Sequence, residues 1–138
     1  MYPLHWCSRK QSSVARSTPE AELIAMSTAM FTEVFNVQTM LEHLMQRQVP
    51  VNYRQDNQAV VQILGTGYSA KLRHAPRVHR VNVSSVHEVL TSEHAHAVWY
   101  TQTTEQIANG LTKVITPAEW PAMLKQLSIF DFSVNSET

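Results

Sequence analysis

Side chains capable of chemistry cluster in a few places in this sequence. Glu20 and Glu22 lie in the first turn of a predicted helix, and Asp56 follows a predicted strand. Lys71, Arg73, Arg77 and Arg80 crowd a stretch from Asp56 to Glu88 with no acid between, His74 and His79 among them. Carboxylates hold hard cations or trade protons. Spacing alone favours a plainer role for Glu22, as a solvated carboxylate beside a buried face that stabilises the positive end of its helix. The basic stretch can follow phosphates, each neutralised phosphate adding salt-dependent affinity, or it can simply be solvated. His94 and His96 would share one strand face, but no His/Cys cluster at ligand spacing accompanies them, which argues against structural zinc. Gly65 and Gly67 read as a helix stop. Trp6, Trp99 and Tyr100 fall on predicted strands, where core packing is favoured over base stacking. Cys7 beside Trp6 reads as a buried hydrophobe.

The elements that must position these groups follow from hydrophobic spacing. Ser17, Thr18 and Pro19 start a helix, with Glu20 at the capping-box distance from Ser17. Leu23, Ser27, Met30, Val34, Val37, Leu41 and Leu44 then form one stripe at three- and four-residue intervals. The spacing predicts one long helix to Leu44, about 40 Å at 1.5 Å per residue. Pro3 to Ser8, Pro50 to Gln55 and Ala95 to Thr101 read as strands. Val60, Val61, Ile63 and Leu64 mark a second helix, ended by Gly65 and Gly67. A third spans Val81 to Leu90, with Val83, Val86 and Leu90 inward. A fourth starts at Thr103 or Thr104 and runs through Leu111, with Ile107, Ala108 and Leu111 inward. The last covers Pro117 to Leu127, and Asp131 to Thr138 reads as frayed. Strands alternating with helices predict an α/β domain with parallel strands.

Composition narrows the class. The chain has 138 residues, 43% of them hydrophobic, and a formal net charge of zero. That suits one domain with a real core, over residues 1–127, followed by a tail at 128–138. One cysteine excludes an internal disulfide framework and suits a reducing compartment. Without a signal-peptide pattern or an apolar run of membrane length, the expected location is intracellular, cytoplasmic or nuclear, with no membrane partner.

Several motifs agree in order with one known family. Trp6-Cys7-Ser8-Arg9-Lys10-Gln11 resembles its W-x-S-K-K-Q, and Ser17-Thr18-Pro19-Glu20-Ala21-Glu22 with Leu23-Ile24-Ala25 resembles its S-S-T-E-A-E-Y-x-A. Asp56-Asn57-Gln58-Ala59 is similar to D-N-x-A, and Thr104 to Lys113 is similar to x-x-Q-x-A-D-x-x-T-K. The family is the RNase H domain of copia-type retrotransposon Pol polyproteins. The resemblance covers about residues 4 to 127 and implies an RNase H-like α/β fold, a mixed sheet flanked by helices.

In that family four carboxylates hold two Mg²⁺ ions that cleave the RNA strand of an RNA–DNA hybrid. Two hard cations about 4 Å apart need several oxygen ligands, one ion activating water and the other stabilising the leaving oxygen. The resemblance implies Glu22 and Asp56 as metal ligands, Glu20 being the lesser candidate for the helix position. It implies Lys71, Arg73, Arg77 and Arg80 as nucleic-acid contacts, and the rest of a retrotransposon polyprotein as a partner. Two departures matter. Asn109 stands where the family has its last aspartate, and the family's first aspartate lies on a strand upstream of Trp6. The expectation is therefore an N-terminally truncated domain lacking the first two strands. Its site would be degenerate, with weak Mg²⁺ binding and little or no ribonuclease activity. The alternative is a non-catalytic nucleic-acid-binding or scaffold remnant.

Overall fold

The computed structural model describes residues 4–12, 14–73, 81–92 and 95–129. Contacts divide them into two units, one formed by 11–102 and the other by the described parts of 1–10 and 103–138.

In the larger unit, α1 (Thr18–Ala29) begins where the capping spacing predicts. The Ser17 hydroxyl oxygen accepts from the Glu20 N–H at 3.4 Å, and the Glu20 carboxylate accepts from the Arg16 N–H at 2.7 Å. The Glu20 N–H is one that the first turn leaves open, and the Arg16 N–H just before the N-cap is satisfied with it. The predicted single helix is then interrupted. Met30–Val34 winds as a π-helix before α2 (Phe35–Met45) resumes the α form. A π turn holds one extra residue in each hydrogen-bonded ring, so everything after it turns by about one position. Contact with the core accordingly centres on Phe35, with Gln38 buried, while Val34, Val37 and Leu41 stay half-buried. Leu44 is 69% exposed.

Gln38 and Glu42 fix the way into the sheet. The Gln38 amide donates to the Val49 carbonyl at 3.0 Å, and the Val49 N–H donates to the Glu42 carboxylate at 3.0 Å. Gln46 ends α2 in the left-handed region, its side chain donating to the His43 carbonyl at 2.6 Å.

β1 (Val51–Gln55) pairs in parallel with β2 (His96–Tyr100), Val51 opposite His96 and Gln55 opposite Tyr100. Between them come α3 (Gln58–Thr66), a short 3₁₀ turn (Ala70–Leu72) and α4 (Val83–Ser92). This is a crossover of the length that parallel strands need. The architecture is thus mixed α/β with a two-stranded parallel sheet among the described residues. Leu23, Ile24, Met26 and Met30 of the first helical run meet Val60, Leu64, Leu72, Val81, Val83 and Val86 in one core, with Tyr53 and Val98 of the sheet packed against it. The join of α3 to α4 is close. Gly67 ends α3 at φ 68°, and the His87 ring lies where a Cβ on Gly67 would be. His87 Nδ1–H donates to the Leu64 carbonyl at 2.6 Å, serving one of the last carbonyls of α3.

The smaller unit departs further from expectation. Over the described residues 4–8, the predicted Pro3 to Ser8 strand is absent, and every side chain there is exposed, Trp6 and Cys7 included. The run lies outside the paired strands, and without pairing its alternate side chains have no sheet face to bury. Residues 103–108 form turns, so the predicted Thr103 to Leu111 helix shrinks to α5 (Asn109–Thr112). Asn109 explains part of this: its side-chain amide donates to the Thr103 carbonyl at 2.6 Å, closing a local turn that competes with helix. α6 (Trp120–Gln126) starts three residues after Pro117. Thr116 holds that approach, its N–H and hydroxyl both donating to the Glu119 carboxylate at 2.9 and 2.6 Å. These bonds hold the Glu119 carboxyl below its ordinary range.

Candidate functional site

The carboxyl end of the sheet is where an open α/β arrangement offers a binding crevice, because the loops there leave side chains and backbone groups unclaimed by the ladder. Asp56 sits there, half-buried and directly after β1. Its carboxylate makes no hydrogen bond or ion pair among the described residues, which leaves it available to a ligand. Asn57 is committed elsewhere: its side-chain oxygen accepts from the N–H groups of Ala59 and Val60 at 3.1 and 3.4 Å, capping α3. The D-N pair thus combines a loose carboxylate with a fixed helix cap. Alongside, Thr101 N–H donates to the Gln55 carbonyl at 2.9 Å and extends the pairing one step past β2.

The two glutamates of α1 differ sharply. Glu20 is 1% exposed and bound to the Arg16 backbone, so it is a helix cap. Glu22 is half-buried on the same helix, next to Leu23 of the core. α1 packs against α3, the helix that Asp56 and Asn57 lead into. Glu22 and Asp56 therefore belong to one compact unit and to elements sharing one core. Asn109 belongs to the other unit.

Of the basic positions, Lys71 and Arg73 are exposed on and after the 3₁₀ turn. Arg73 Nε donates to the Tyr68 hydroxyl at 2.8 Å, and its guanidinium lies 5.8 Å from that ring's centre. Arg77 and Arg80 fall outside the described residues, as do His74, His79 and His94. His96 has a structural setting: it is buried, its Nδ1 lies 3.1 Å from the Tyr53 hydroxyl, and Phe35 packs edge-on against its ring.

Besides Trp6 and Cys7, two more residues assigned to the core stand in solvent. Trp99 is 55% and Tyr100 45% exposed. Both lie on β2, and a two-stranded sheet has too little width to cover every position on either face. The Tyr68–Arg73 pair and the cross-strand bond from Trp99 Nε1 to Asn52 Oδ1, 2.9 Å, had no counterpart in the sequence reading. Each joins residues whose approach depends on a turn or on strand register.

The donor set does not fit two Mg²⁺ ions. Glu22 and Asp56 supply two charges, and Asn109, in the other unit, has only a neutral amide oxygen to offer. Comparison with protein-family models, with curated proteins and with solved structures gave no match to this chain.

Proposed function

We propose that this chain is a degenerate RNase H-like domain of copia-type retrotransposon ancestry, which engages RNA–DNA hybrids or related nucleic acid and does not cleave them efficiently. The observation that carries the reading is the ordered set of motifs around Trp6, Glu22, Asp56 and Asn109. Asp56 at the carboxyl end of a parallel strand, with Glu22 on a helix packed to the same core, supports it. Glu22 and Asp56 would hold at most one Mg²⁺ ion, weakly, because a strongly hydrated cation needs more negative charge to shed its waters. Lys71, Arg73, Arg77 and Arg80 would carry the phosphate contacts.

A labelled RNA–DNA hybrid tests this in two measurements. Binding should weaken steeply as salt rises, and replacing the four basic residues by alanine should flatten the log–log slope. Cleavage in Mg²⁺ should be absent or slight. Rapid cleavage would overturn the degenerate site, and salt-independent or absent binding would leave only a scaffold role.

A further inference from the structure

The face of the sheet turned away from the core carries a feature that hybrid binding does not use. In a parallel pair, residues in register point to the same side. Val51, Tyr53 and Gln55 with His96, Val98 and Tyr100 therefore share one face, and Tyr53 and Val98 pack on the core. The other face consists of Asn52, Arg54, Ala97 and Trp99. Trp99 is in register with Arg54, and its indole N–H donates across the strands to Asn52 Oδ1. That bond satisfies the ring's one polar group and holds its position while more than half of the residue stays open to solvent.

We propose that Trp99, with Arg54 beside it and Asn52 fixing it, is a stacking platform for an unpaired base of single-stranded nucleic acid, the Arg54 guanidinium meeting the adjoining phosphate. The inference rests on the nucleic-acid reading above and adds a second binding element to it. A pinned aromatic ring and a cation are the two components of sequence-tolerant single-strand binding. A duplex hides its base faces, so the ring can stack only on an unpaired strand. The four positions include no acid, which suits a polyanion.

The test uses the full chain with Trp6→Phe and Trp120→Phe, which leaves Trp99 as the one tryptophan. A thymidine oligonucleotide about 16 nucleotides long is the probe. Trp99 emission should be quenched on titration, and the quenching should fade with added salt. By anisotropy of a labelled oligonucleotide, Trp99→Ala should weaken binding about tenfold, a loss within the range of one base stack. Trp99→Phe should keep most of the affinity, which separates loss of the ring from loss of folding. Arg54→Ala should lower the salt slope by roughly 0.7, the value for one phosphate on a single strand. Unchanged emission while the hybrid still binds would overturn the platform and leave the hybrid reading intact. Quenching by the oligonucleotide without hybrid affinity would do the reverse. Emission that changes with protein concentration, and not with oligonucleotide, would assign the face to self-association and overturn the proposal.

Discussion

Glu20 and Glu22 stand two residues apart with the same charge and face different tests. Glu20 is buried and accepts the Arg16 N–H, so Glu20→Ala would leave that donor and the first turn less well served. A loss of about 1–2 kcal/mol is expected, the range for a helix cap or a hydrogen bond to a charged group. Glu20→Gln keeps an acceptor and should cost less. Glu22→Gln should abolish whatever Mg²⁺ binding exists, as read by calorimetric titration. Mg²⁺ binding left unchanged by Glu22→Gln would remove Glu22 from the candidate site. Glu119 gives a pH prediction. Its two bonds from Thr116 hold the folded carboxyl below the ordinary value of 4.5, the side-chain bond contributing most. A depressed folded value means the local turn gains stability above the unfolded value and loses it as pH falls through the folded one. Protection of the Thr116 amide from hydrogen exchange should decline below about pH 4.5, and Glu119→Gln should lower it at neutral pH.

At the scale of elements, the helices and strands of the larger unit were legible because their signals are local. Ser17 and Glu20 announce the start of α1, Val60, Val61, Ile63 and Leu64 mark α3, Gly67 ends it, and the runs of β1 and β2 are short and bounded. The π segment was not legible, since one extra residue in a helical run leaves no mark on the spacing before it. Its consequence can be measured. Val37, Met40, Leu41 and Leu44 are half-buried or exposed, whereas Phe35 contacts the core and the His96 ring at 5.6 Å. Leu44→Glu should shift stability by less than about 0.5 kcal/mol, and Phe35→Ala should cost roughly 2–4 kcal/mol by denaturant unfolding. The reverse ranking would mean that the helix keeps one unbroken phase. Gly67 offers a second reading of element packing. Gly67→Ala adds both the strain of φ 68° and a Cβ 2.7 Å from the His87 ring. His87→Ala removes the clash and also the bond to the Leu64 carbonyl. The double substitution should therefore cost less than the two single losses added together. Strict additivity would show that the two residues do not meet. The strand predicted at Pro3 to Ser8 failed for the opposite reason: a strand exists only if something pairs with it, and its apolar run does not name its neighbour.

At the scale of the molecule, the main buried hydrophobic cluster among the described residues lies within one stretch of chain. Leu23, Ile24, Met26, Met30, Val60, Leu64, Leu72, Val81, Val83 and Val86 all fall between Gln11 and Gln102, and both strands of the sheet fall there too. Folding free energy comes mainly from apolar surface removed from water, so this stretch should carry the cooperative transition. A chain ending at Gln102 keeps the last rung of the ladder, from Thr101 N–H to the Gln55 carbonyl. It should unfold in a single denaturant transition, with a midpoint close to that of the full chain and a slope reduced in line with the shorter length. Met30, fully buried at the junction of α1 and the π segment, then supplies the control. Met30→Ala should cost about 2–5 kcal/mol in either chain, because it opens a cavity among residues that both retain. Stabilities of small domains lie at roughly 5–15 kcal/mol, so the upper end of that loss would take most of the stability of a domain at the lower limit. If the shortened chain instead lost its transition while the full chain kept one, residues beyond Gln102 would be part of the folding unit. The candidate site would then have to be sought across a larger structure than the carboxyl end of β1 and β2.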